Sequence, residues 1–176
     1  MKRIFLVGPM GSGKTTVGRH LARRLGMEFV DLDHEIQARC GVEVAVIFDI
    51  EGEEGFRKRE SDLLDELTQR DNIILATGGG SILESGNRRR LSERGLVVYL
   101  QTSVDQQLRR LERDKQRPLL QAPNRRQKLN ELAKARNPVY EEAAELIVPS
   151  ANIPPPAMAA RVEQAIRNHL EREGIE

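Results

Sequence analysis

The chain has 176 residues, 28 basic and 27 acidic, and a net charge of +1. That balance gives no overall attraction to nucleic acid or to an anionic membrane, and 3% aromatic content without tryptophan leaves little to stack on bases. One cysteine, Cys40, excludes an intramolecular disulfide, and no apolar run reaches the ~20 residues that cross a bilayer.

These features fit a single domain spanning residues 1–176 in a reducing cytoplasm. Small molecules are the expected partners, with no nucleic acid and no membrane, and a monomer is the expected state.

Ile4, Phe5, Leu6 and Val7 make an apolar run that reads as a buried strand. Gly8-Pro9-Met10-Gly11-Ser12-Gly13-Lys14-Thr15 follows at once and fits G-x-x-x-x-G-K-[ST], the phosphate-binding P-loop. Val17, Leu21 and Leu25 then recur at four-residue spacing beside Ala22, one face of a helix. The loop therefore joins a strand to a helix, as the motif requires. Glycines let successive N–H groups turn inward, and the helix start adds its positive end. Lys14 should reach the β- and γ-phosphates, and the Thr15 hydroxyl should hold Mg²⁺.

A second strand at 28–30 runs into Val30-Asp31-Leu32-Asp33. Ligands of parallel sheets sit beyond the carboxyl ends of strands, so both acids belong beside the P-loop. If extension continues, Asp31 and Asp33 face one way and Leu32 the other. Asp33 could instead cap a helix over 34–39. The adjacent P-loop favours a site role, ordering Mg²⁺ waters or accepting from substrate hydroxyls. His34 and Cys40 read as ordinary helix residues.

Residues 44–67 hold two apolar faces, Val44, Ile47 and Phe48, then Phe56, Leu63, Leu64 and Leu67, separated by Gly52 and Gly55. The charged run between reads as solvated helix faces with pairs such as Glu53–Arg57, and spacing singles out no arginine. A third strand at 73–76 ends in Thr77-Gly78-Gly79-Gly80, where many P-loop proteins carry an acid. Three glycines forfeit backbone entropy. Either a turn needs positive φ there, or a ligand approaches the backbone, and the triplet favours the ligand.

A fourth strand at 96–100 leads to Ser103, a helix cap. Residues 113–124 are basic, bracketed by Pro118 and Pro123 and without periodicity, and read as a mobile lid or a solvated loop. Arg117, stiffened by Pro118, is the lid's candidate for neutralising transferred charge. Leu129, Leu132 and Ala133 begin a helix that Pro138 should interrupt near Arg136. Arg136 either projects into a cleft or pairs with Glu141. A fifth strand at 145–148 precedes Pro154-Pro155-Pro156, which opens a last helix striped by Met158, Val162, Ala165, Ile166 and Leu170. The βαβ alternation predicts an α/β fold, a parallel sheet with helices on both faces.

Taken together, the P-loop, Asp31-Leu32-Asp33, Gly55-Phe56-Arg57 with Arg59-Glu60, Thr77-Gly78-Gly79-Gly80, Arg117-Pro118-Leu119 and Arg136-Asn137-Pro138-Val139-Tyr140 resemble the shikimate kinase family in order and spacing. The resemblance implies a three-layer P-loop kinase fold with a five-stranded parallel sheet ordered 2-3-1-4-5. It also implies a substrate-binding region at about 32–62 and a lid at about 112–124. It implies transfer of the ATP γ-phosphoryl to the 3-hydroxyl of shikimate, a step toward the aromatic amino acids. Gly11, Ser12, Gly13, Lys14, Thr15, Thr16 and Arg117 would meet ATP, with Lys14, Asp33 and Arg117 catalytic. Asp33, Arg57, Gly78, Gly79, Gly80 and Arg136 would bind shikimate, the two arginines clamping its carboxylate. Thr15 would ligate one Mg²⁺ per subunit, with Asp31 acting through water. The nearest rival is a kinase of the same fold acting on a nucleoside monophosphate or gluconate, and the paired acids favour a polyol. A nucleotide-dependent binding module is the rival of another class.

Overall fold

The computed structural model describes residues 2–112 and 123–175. Five strands, β1 (Arg3–Val7), β2 (Glu28–Asp31), β3 (Ile73–Ala76), β4 (Leu96–Gln101) and β5 (Leu146–Pro149), form one parallel sheet ordered β2-β3-β1-β4-β5. The expected order is therefore the observed one, with strand ends within a residue or two of the apolar runs.

Strand alternation splits the core into two faces. Phe5 and Val7 of β1, with Ile73, Leu75, Val97 and Tyr99, pack against one set of helices. That set is α2 (Leu32–Cys40), α3 (Val44–Leu67), α4 (Ser85–Arg94) and α6 (Arg125–Ala143). Ile4 and Leu6, with Ile74, Val98 and Leu100, pack against α1 (Lys14–Leu25) and α7 (Pro155–Glu173). The remaining helix, α5 (Val104–Leu111), starts from a capping box in which Ser103 and Gln106 bond reciprocally. The last helix buries Met158, Val162 and Ile166 as its stripe requires, and also Glu163, which is paired with Arg24 and Arg167.

The structure departs from the sequence expectations at two places. Extension stops at Asp31, and α2 begins at Leu32. Asp31, not Asp33, is the cap; its Oδ1 accepts from the His34 backbone N at 3.0 Å. Asp33 thus sits in the first helical turn rather than on a strand face shared with Asp31. Second, Pro138 does not interrupt α6, which runs on to Ala143. Proline removes the donor to the Lys134 carbonyl, but Lys134 and Pro138 both lie on the exposed side, where water can serve that oxygen. Leu129 and Tyr140, buried on either side of Pro138, hold the helix on course. Positive φ is recorded at Gly52, the kink within α3, but not at Gly78, Gly79 or Gly80, so a turn that needs positive φ, the less favoured of the two readings, does not account for the triplet.

Candidate active site

At the carboxyl end of β1 the chain reverses through Gly8, Gly11 and Gly13, with φ of 147°, 75° and 90°. Those angles are open to glycine and costly to other residues. The loop is braced from outside. Gln107 Nε2 donates to the Met10 carbonyl at 2.9 Å, and Arg110 Nη1 donates to the Gly11 carbonyl at 2.8 Å. Arg110 also reaches the Ala151 carbonyl at 3.2 Å, and its partial burial lowers its pKa. Nothing in the spacing of α5 marked Gln107 or Arg110, because carbonyl-bracing side chains leave no periodic trace.

Lys14 opens α1, and its Nζ donates to the Gly8 and Pro9 carbonyls at 2.6 and 2.9 Å. The ammonium therefore lies within the loop's own curve. Ser12 is buried at the loop's centre, and the Thr16 hydroxyl donates to the Gly13 carbonyl at 3.4 Å. Thr15 Oγ1 donates to Asp31 Oδ2 at 2.5 Å. Asp31 thus uses one oxygen to cap α2 and the other to meet the P-loop helix. A hydroxyl and one carboxylate suit Mg²⁺, a hard ion that takes few protein oxygens and completes its shell with phosphate and water. Among the described residues no group of three or more His, Cys, Asp or Glu could hold a metal ion.

Beyond β3 the glycine triplet shows what its bare backbone is for. A Cβ on Gly78 would lie 3.0 Å from Asp33 Oδ1 and 3.0 Å from Glu60 Oε2. A Cβ on Gly79 would lie 3.4 Å from Arg136 Nη1 and 3.8 Å from the Met10 backbone N of the P-loop. A Cβ on Gly80 would strike Arg57, 2.8 Å from both Cζ and Nη1. Asp33 from α2, Arg57 from α3 and Arg136 from α6 therefore converge on three residues beside the P-loop. The open alternative for Arg136 resolves toward the cleft. Arg117 lies outside the described residues.

Two supports escaped sequence reasoning. Arg57 Nη1 donates to Glu60 Oε1 at 2.8 Å, and Glu60 is 1% exposed, although the charged run around it reads as solvated. The expected Glu53 partner is present but longer, 3.7 Å, and exposed. Tyr140 OH donates to the Gly79 carbonyl at 2.5 Å. Burial pushes the Tyr140 phenol up to about 12, against the pull of the Arg136 and Arg57 charges. Its phenol is therefore a proton donor to the triplet, not a titrating group. A buried tyrosine four residues after Arg136 was the available signal.

The family model described as shikimate kinase matches residues 10–167. The chain belongs to the shikimate kinase family. It is an ATP-dependent kinase of that family. It is 54% identical over 168 residues to the shikimate kinase of Histophilus somni, covering 95% of this chain and 96% of that one. It is 60% identical over 151 residues to that of Bordetella avium, covering 86% and 72%. Among solved structures, it superposes on the Acinetobacter baumannii shikimate kinase in complex with shikimate with TM-score 0.91 at 50% identity, over 96% of this chain and 94% of that one. The Bacteroides thetaiotaomicron shikimate kinase gives TM-score 0.87 at 32% identity, over 94% and 98%. The kinase thus shares with these relatives the sheet order and flanking helices that bring the P-loop and the glycine triplet together.

Proposed function

We propose that this kinase transfers the γ-phosphoryl of ATP to the 3-hydroxyl of shikimate, giving shikimate 3-phosphate and ADP, in aromatic amino acid biosynthesis. One observation carries the reading. A carboxylate and two guanidinium groups meet on the glycine triplet, which lies beside the P-loop at Met10. A substrate with one carboxylate and several hydroxyls needs those partners: arginines for its acid and an aspartate for its alcohols.

In this reading Arg57 and Arg136 hold the carboxylate, and Gly79 lets the ring lie against backbone. Asp33 accepts from the reacting hydroxyl, orients it and can take its proton as the oxygen attacks phosphorus. The loop amides of Gly11, Ser12 and Gly13, with Thr16, hold the phosphates. Lys14 moves from the loop carbonyls to the transferring group and offsets the charge that builds on it. Mg²⁺, one per subunit, would sit on the Thr15 hydroxyl, with Asp31 acting through water, and supplies further neutralisation of the phosphate oxygens. Positioning and charge do most of the work in phosphoryl transfer, so a strong base is not required. Arg117 on a lid at about 112–124 would touch ATP, and residues of about 32–62 would form the substrate-binding region of a single domain. A cytoplasmic monomer is the setting we propose. Among the described residues no helix is long and apolar enough to cross a membrane.

A coupled assay of ADP release with shikimate, gluconate and AMP as acceptors tests the reading. Turnover with shikimate alone is expected. Turnover with gluconate or AMP and none with shikimate would overturn the substrate assignment.

A further inference from the structure

We propose that Ser81 is a positioning residue for recognition of the substrate carboxylate, acting on Arg57 through Glu60. The inference rests on the shikimate reading above. Ser81 opens the 3-10 turn Ser81–Leu83 directly after the triplet and is fully buried. Its hydroxyl donates to Glu60 Oε2 at 2.8 Å and accepts from the Gly78 backbone N at 3.0 Å. The serine is itself fixed from behind, because buried Asn87 on α4 donates Nδ2 to the Ser81 carbonyl at 3.0 Å.

The consequence follows from the two oxygens of Glu60. A carboxylate this buried is tolerated only with partners on it. Oε1 holds the Arg57 guanidinium at 2.8 Å, and Oε2 is held by Ser81. Arg57 meanwhile has a competing anion in Glu53, 3.7 Å away and 71% exposed. The serine hydroxyl thus biases Arg57 toward the inner carboxylate, where the guanidinium lies against Gly80 and faces the cleft. The same hydroxyl, through the Gly78 N–H, sets the first residue of the surface on which the substrate rests. One small side chain therefore fixes both the clamp and its floor.

The test is a kinetic split within a double-mutant cycle. Ser81→Ala should raise the shikimate KM about tenfold, as loss of a hydrogen bond to a buried charge would, while kcat stays within about threefold and the ATP KM within about twofold. In an Arg57→Ala background the same change should add less than about twofold, because the route through Arg57 is already gone. Should Ser81→Ala not fold, Ser81→Cys, close in shape but a weaker donor, should give the same pattern at smaller size. Equal effects on both backgrounds, or an ATP KM that rises as much as the shikimate KM, would overturn the positioning role in an enzyme that still phosphorylates shikimate. A wild type that turns over no shikimate at all would overturn the functional reading, and this inference with it.

Discussion

Gly80→Ala asks whether the triplet is bare so that arginine can lie against it. Gly80 has φ −100° and ψ −3°, a conformation alanine adopts freely, so any effect is steric and not backbone strain. The new Cβ would stand 2.8 Å from Arg57 Cζ and Nη1, and closer still to Nη2. An unstrained contact needs about 3.5 Å, and the closest atom, Nη2, sets the displacement, so the guanidinium must retreat by about 1 Å. That retreat lengthens or reorients its 2.8 Å bond to Glu60. Misplacement of a binding group on the 1 Å scale can cost about 100-fold, which predicts a fall in kcat/KM for shikimate of that order, or about 2.7 kcal/mol of transition-state stabilisation. The displaced atoms are the far end of a flexible side chain, so the fold should tolerate the change, and the melting temperature should move by no more than about 4 °C. Steady-state kinetics of ADP release, varying each substrate in turn, supplies the readout. An unchanged shikimate KM, or an ATP KM that rises in step with it, would refute the reasoning.

Lys14→Ala should lower kcat by about 100- to 1,000-fold, as removal of a preorganised charge partner does, and near-normal turnover would remove the lysine from the phosphate site. Asp31→Asn keeps a competent cap for α2, so stability should hold while the Mg²⁺ concentration for half-maximal rate rises about tenfold; an unchanged Mg²⁺ requirement would detach Asp31 from the metal. Tyr140 offers a pH test. Its folded pKa is raised to about 12, so the stability it contributes is intact below pH 10 and is lost as pH climbs toward 12. Denaturant titrations of wild type and Tyr140→Phe should therefore differ by about 1.4 kcal/mol less at pH 11 than at pH 9, and a constant difference would show that the phenol titrates normally.

The fold was legible because its signals are local and periodic. Each strand is a short apolar run, and the P-loop is a contiguous string whose spacing is its chemistry. The site was legible in part. Asp33 and the glycine triplet stood out because acids and bare backbone at strand ends are expensive without a ligand. Arg57 emerged only through the family resemblance, since its spacing looks like that of any charged helix, while the neighbouring Pro138 marks Arg136 but leaves it open between the cleft and Glu141. Glu60 was hidden for a related reason. An i,i+3 pair with Arg57 looks the same on a solvated face as on a buried one, and only the packing of α3 against Ser81 decides which it is. The ends of β2 and the course of α6 were misjudged where a local rule met a tertiary constraint. The cap falls on Asp31, two residues before the Asp33 alternative, and the other oxygen of Asp31 is committed to Thr15. Pro138 sits mid-helix because burial of Leu129 and Tyr140 outweighs one missing donor, a cost of about 3 kcal/mol.

The absence of an acid at the end of β3 now has a physical account. Thr77 stands there, buried, with its N and Oγ1 both donating to the Leu6 carbonyl at 3.1 and 2.9 Å. It ties β3 to β1 where the P-loop begins and offers no charge to a metal. The carboxylate that meets Thr15 comes instead from β2, the strand on the far side of β3, through Asp31. Moving the acid outward by one strand leaves the residues after Thr77 free to be glycine. An aspartate at Thr77 would bring a third carboxylate close to Asp33 and Glu60, which already flank Gly78, and would add like-charge repulsion there. The threonine and the triplet are therefore one arrangement. In the proposed reading, charge withheld from the end of β3 leaves Asp33 an acceptor for a neutral hydroxyl, while Arg57 and Arg136 lie close against the backbone.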